Sequence, residues 1–127
     1  MAEGKFATAI NCMDGRTQIP VINWFKENYG VDYVDAVTAP GPVLHLAEGN
    51  GVLIESIRGR VWISVNGHGS NIVAVVAHDG CAGNPKPKDA QLVQMDRAIV
   101  EIKSWGLGVK VIGLYVNNNT DVELVRE

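Results

Sequence analysis

Residues 71–77 read NIVAVVA, and residues 78–89 that follow read HDGCAGNPKPKD. The first run is uncharged, rich in β-branched side chains and too short for a helix, so it is a buried strand. The second, broken by glycine and proline, is the loop that closes it. Downstream, Leu92, Met95, Ile99 and Ile102, with Ala98 and Trp105, recur at helical spacing. Lys110 to Val116 then returns to strand character, and the tail from Asn117 to Glu127 reads as a short edge strand or helix. Upstream, Leu53, Ile54, Ile57, Val61 and Val65 form another helical stripe that runs out at Gly67 and Gly69. Before it, Asp32 to Ala39 is a β-branched strand stopped by a turn at Pro40, Gly41 and Pro42. Ile19, Ile22, Phe25 and Tyr29 predict a helix with Pro20 in its first turn and Gly30 at its end, and Lys5 to Asn11 is the first strand. This alternation predicts an α/β fold: a mainly parallel sheet of four or five strands, order 2-1-3-4, with helices on both faces.

Length and composition exclude several classes. The 127 residues suit a single domain, 1–127, large enough for a core. With 11 Lys plus Arg against 14 Asp plus Glu, and only a thin basic run at Lys86, Lys88 and Arg97, no nucleic-acid partner is expected. No apolar stretch is long enough to span a membrane and none reads as a signal peptide, so the expected location is the cytoplasm. Two cysteines cannot build a disulfide framework, and in a reducing compartment they read as metal ligands, catalytic thiols or buried apolar residues.

In a sheet of order 2-1-3-4 the winding reverses between strands one and three, and the ligand crevice opens at their carboxyl ends. The loops there are NCMDGR, residues 11–16, and HDGC, residues 78–81. Thiolate and imidazole are the ligands zinc prefers, and a catalytic zinc keeps three of them plus an open position. Cys12, His78 and Cys81 form such a set. Asp14 would orient a metal-bound hydroxide, and Arg16 would hold Asp14 through its planar fork. Without the surrounding Asp, Arg and His the cysteines read first as buried apolar thiols, and the Asp14–Arg16 pair has a second reading as an ion pair bracing a turn. His45 and His68 have the chemistry of proton shuttles, but an apolar surrounding and a helix end, respectively, favour packing roles. Asp79 is expected to cap its loop, and Trp24, Trp62 and Trp105 are expected to serve packing or subunit contacts from helices.

C-x-D-x-R after the first strand and H-x-x-C after the third resemble the signature of the β-class carbonic anhydrases, most of all their short, carbonic-anhydrase-like members. The resemblance covers about residues 5–116. It implies a β-carbonic-anhydrase-like fold, zinc on Cys12, His78 and Cys81, and an Asp14/Arg16 dyad. The implied activity is that of a lyase: hydration of CO2 to bicarbonate by a zinc-bound hydroxide, in a homodimer or higher homo-oligomer. In some members of that family the dyad aspartate swings onto the metal and displaces water, so the resemblance leaves either Asp14 or water as the fourth ligand here. Gly15 stands where members commonly carry serine, TAPGPV (38–43) replaces an R-N-A-G stretch, and the N-terminal helical extension is expected to be lacking. The alternatives are a zinc-binding regulatory module without catalysis, or hydrolysis of carbonyl sulfide or carbon disulfide. Two thiolates neutralise the metal's charge, so its water should be less acidic than the value of about 7 at a three-histidine site. Activity should therefore climb through the alkaline range, and a profile flat between about pH 6 and 9 would count against a metal-hydroxide mechanism.

Overall fold

A computed structural model describes residues 3–127. The sheet has five strands: β1 (Phe6–Cys12), β2 (Tyr33–Ala39), β3 (Ile72–His78), β4 (Lys110–Val116) and β5 (Val122–Arg126). Their order is β2-β1-β3-β4-β5. All pairings are parallel except β4 with β5, so the tail after Val116 turns back as an antiparallel edge strand.

Four α-helices connect and cover the strands: α1 (Gln18–Tyr29), α2 (Pro42–Glu48), α3 (Gly51–His68) and α4 (Lys88–Ser104). Strand side chains alternate between the two faces, and the core divides accordingly. On one face Ala7 and Ala9 of β1, Ala74 and Val76 of β3 and Leu114 of β4 lie under Val21 and Phe25 of α1. On the other, Ile10, Val73, Val75 and Tyr115 pack beneath α2, α3 and α4 through Leu46, Ile57, Val61, Met95 and Ile102. Every residue of β3 is buried, which is why its sequence is apolar without alternation.

Two sequence expectations are corrected. The turn expected at Pro40–Pro42 leads directly into α2. Gly41 takes a left-handed conformation (φ 58°), Pro42 starts the helix, and Gly49 ends it in another left-handed conformation (φ 73°). Proline at the first helical position and glycine just past the last is the ordinary asymmetry of helix ends, but seven residues are too few to show a periodic stripe. Trp105 lies just past the end of α4 rather than within it, donating its indole N–H to Glu101. No helix among the described residues is long and apolar enough to cross a membrane.

Register decides what meets at the carboxyl edge. Ile10 of β1 is paired with Val75 of β3, so Cys12 at the end of β1 and His78 at the end of β3 emerge side by side.

Candidate metal centre

Cys12 is the last residue of β1, His78 the last of β3, and Cys81 lies three residues on, in the loop. All three are buried. One ligand atom from each can be chosen so that all lie within 4.8 Å of one another. The sulfurs of Cys12 and Cys81 are 3.9 Å apart and form no disulfide. Two sulfurs each about 2.3 Å from one tetrahedral zinc would stand roughly 3.8 Å apart.

The imidazole turns a lone-pair nitrogen to the same place. His78 Nδ1 lies 2.7 Å from the carbonyl oxygen of Asp79, a pure acceptor, so Nδ1 carries the proton and donates it. Nε2 is then the lone-pair nitrogen, and it is buried without a hydrogen-bond partner. An unpaired polar atom inside a protein is costly, and a cation shared with two sulfurs would satisfy it. The donor set and its spacing thus fit zinc.

Several contacts hold the loops. A Cβ placed on Gly83 would come within 2.8 Å of the Pro40 carbonyl carbon, so the β2–α2 turn and the β3–α4 loop touch backbone to backbone, which only glycine allows. Gln91, fully buried in the first turn of α4, donates through Nε2 to the carbonyls of His78 and Lys86, both at 2.9 Å. Sequence reasoning missed it. Its signal was its place: 91, 95, 98 and 102 fall on one helical stripe, so a glutamine there is buried and must find polar partners. Gln18 and Thr17 likewise secure the end of β1, with Gln18 Nε2 2.7 Å from the Cys12 carbonyl.

Asp14 faces Arg16 rather than the sulfurs. Its Oδ1 accepts from the backbone N–H and Nε of Arg16 at 2.9 and 3.0 Å, and its Oδ2 accepts from Nη2 at 2.6 Å. Arg16 Nη2 also donates to the Gly80 carbonyl at 3.2 Å, tying the first loop to the second. The hydrogen bonds from Arg16 hold the Asp14 carboxyl well below the usual carboxylate range, and Asp14 in turn raises Arg16. Burial and the neighbouring Cys12 thiol push Cys81 up, so that thiol by itself favours the protonated state. A bound divalent cation would reverse that preference and displace the proton.

The depressed Asp14 fixes the sign of one effect. Its folded value lies below the unfolded one of about 4, so the pair's stabilisation is present above that pH and is lost as pH falls through the folded value. Arg16 is mostly exposed and the effect is screened, hence small. The thermal midpoint should fall more steeply below about pH 4 in the wild type than in Asp14→Asn, and parallel slopes would contradict the assignment.

The other candidates lie elsewhere. His45 Nε2 donates to the Pro40 carbonyl at 3.0 Å and supports the turn beneath Gly83. His68 Nδ1 is 2.6 Å from Asp35 and its ring stacks on Phe6, the first residue of β1. At about 3.3 Å per residue, the six steps from Phe6 to Cys12 put His68 near the other end of the strand. Asp79 caps its loop: its carboxylate accepts from the Tyr115 hydroxyl and, at 3.0 Å, from the backbone N–H of Asn118. Burial and the Asp79 carboxylate together push the Tyr115 phenol far up.

The family described as "Putative carbonic anhydrase" matches residues 2–126. The chain belongs to that family. Its fold is that of the β-carbonic anhydrases. A β-carbonic anhydrase of Trichomonas vaginalis superposes with a TM-score of 0.59 at 14% identity, covering 95% of this chain and 82% of that one. The tetrameric β-carbonic anhydrases of Sordaria macrospora give 0.54 at 10% identity over 98% and 82%. The β-carbonic anhydrase of Aspergillus fumigatus gives 0.50 at 14% identity over 95% and 74%. A sequence search of the curated proteins finds no match. At these identities the likeness to solved structures speaks for the fold, and the family membership rests on the match across residues 2–126.

Proposed function

We propose that this carbonic-anhydrase family member hydrates CO2 to bicarbonate, with zinc held by Cys12, His78 and Cys81. The observation that carries the reading is the buried, partnerless Nε2 of His78 beside two sulfurs at zinc-ligand spacing. Zinc bound there supplies a Lewis acid that lowers the pKa of water toward neutrality. The Cys12 and Cys81 thiols would give up their protons and bind it as thiolates, and His78 would keep its proton on Nδ1, donated to the Asp79 carbonyl.

Asp14 stays ionised at neutral pH, so it only accepts hydrogen bonds. With its oxygens fixed by Arg16, it orients the attacking water by accepting that water's proton-bearing side, leaving the oxygen lone pair free to face the substrate carbon. Beside Arg16 and His78 lies a cavity of only about 20 Å³, closed by Thr17, Asn117, Asn118 and Thr120. That is room for about one water molecule.

Residues 1–127 act as one domain in this reading, in a homodimer or larger homo-oligomer. The tetrameric relatives from Sordaria macrospora support the assembly. Two free buried thiols suit the reducing cytoplasm.

Stopped-flow CO2 hydration by zinc-loaded protein at about pH 8.5, above the value near 7 of a zinc-activated water, tests the activity. A zinc-dependent rate above buffer is expected. A rate equal to buffer would leave a zinc-binding module, and turnover of carbonyl sulfide or carbon disulfide instead would change the substrate.

A further inference from the structure

The metal-site imidazole is oriented by a peptide carbonyl, and a carbonyl orients well only if its peptide is itself fixed. That carbonyl belongs to the Asp79–Gly80 peptide, and Asp79, the residue that carries it, is held through its own N–H, its carboxylate and the preceding His78 carbonyl. The backbone N–H of Asp79 donates to the Val116 carbonyl at 3.0 Å. The Asp79 carboxylate takes the Tyr115 hydroxyl on Oδ1 and the Asn118 N–H on Oδ2. The carbonyl of His78 receives Gln91. Among these groups Tyr115 stands apart. Its ring is buried in the core under α4, with the Lys88 ammonium 5.1 Å from the ring centroid, while its hydroxyl reaches out of the core to one carboxylate oxygen. A phenylalanine would fill the core space equally well, so the hydroxyl is there for Asp79.

We propose that Tyr115 and Asp79 are positioning residues for His78: the phenol and the Asn118 N–H clamp the Asp79 carboxylate, which fixes the Asp79 carbonyl against His78 Nδ1 and holds Nε2 as the metal-facing nitrogen. The clamp ties the geometry of the metal site to the β4–β5 turn. That turn carries its own strain, because Thr120 adopts a left-handed conformation (φ 63°) that a β-branched residue rarely takes. The Asn118 N–H and three of the residues that line the small cavity beside His78, Asn117, Asn118 and Thr120, therefore belong to one turn. The proposal rests on the metal reading given above, in which His78 is a ligand.

The test is Tyr115→Phe in the full chain, with Asp79→Asn as a second variant. A carboxamide has one acceptor oxygen, so Asp79→Asn can serve only one of the two donors. Three readouts are taken: zinc affinity by chelator competition, the visible spectrum of the cobalt-loaded protein, and the His78 tautomer in metal-free protein by long-range proton–nitrogen NMR. Removal of groups that orient a metal-binding histidine typically costs about 10- to 100-fold in metal affinity, and Tyr115→Phe should show a loss of that order. Its cobalt bands should shift, and its metal-free His78 should mix tautomers where the wild type shows only Nδ1–H. Asp79→Asn should change in the same direction, and it carries the test if Tyr115→Phe does not fold. A purely structural hydroxyl would lower the thermal midpoint and leave the tautomer and cobalt bands unmoved, and that outcome would overturn the proposal. If the wild type bound neither zinc nor cobalt, the metal reading would fall and the proposal with it. Normal metal binding by the wild type with unchanged variants would remove the proposal alone.

Discussion

Cys12→Ser protein should no longer hold zinc stoichiometrically, and this is the largest effect expected of any single substitution. A structural zinc site with four protein ligands contributes about 10–16 kcal/mol in all, so a single ligand is worth roughly 3 kcal/mol, a factor of about a hundred or more in affinity. Serine is a poor substitute, because zinc prefers the softer thiolate and a serine hydroxyl stays protonated near neutral pH. The fold should survive: Cys12 ends β1, and its backbone carbonyl accepts from the side chains of Gln18 and Thr17, contacts that the substitution leaves intact. Metal content after dialysis, with circular dichroism as the control for folding, makes the measurement. Full zinc occupancy in a folded Cys12→Ser protein would remove Cys12 from the ligand set.

Asp14→Ala is expected to give the opposite dissociation, with zinc retained and CO2 hydration lost. Asp14 contacts Arg16 and none of the three proposed ligands, so nothing that binds the metal is removed. In the proposed mechanism the substitution removes the acceptor that orients the attacking water, and it leaves the Arg16 guanidinium with its bond to the Gly80 carbonyl. The rate constant kcat/KM should fall by about 10- to 100-fold, the usual cost of losing a partner that orients a metal-site group. Asp14→Asn should recover part of the loss, because the amide oxygen still accepts one hydrogen bond. Equal rates for Asp14→Ala and wild type would reduce the Asp14–Arg16 pair to a brace for the turn.

Much of the fold and of the candidate site is legible in the residues themselves. The apolar run at 72–77 can only be a buried strand, and the alternation around it leads to a parallel sheet whose reversal point brings NCMDGR beside HDGC. The approach of Cys12 to His78 follows from strand order and register, because both are strand ends, and Cys81 joins them from the loop three residues on. What stays hidden are contacts that depend on how long loops close. α2 is invisible because two turns of helix carry no measurable period. Gln91 sits in the stripe of α4, where an apolar residue is the natural reading, and only the return of the loop shows its amide at the His78 carbonyl. The tail gives no sign that Tyr115 and Asn118 both turn to Asp79, since that contact joins residues 36 and 39 positions apart.

The central claim is that zinc sits between two thiolates and one imidazole at the carboxyl ends of β1 and β3. The zinc K-edge absorption spectrum of the zinc-loaded protein addresses it most directly. The spectrum should show two sulfurs at about 2.3 Å with the remaining light scatterers, one of them an imidazole, at about 2.0–2.1 Å. A shell without sulfur, or an imidazole signal that persists unchanged in His78→Ala, would contradict it.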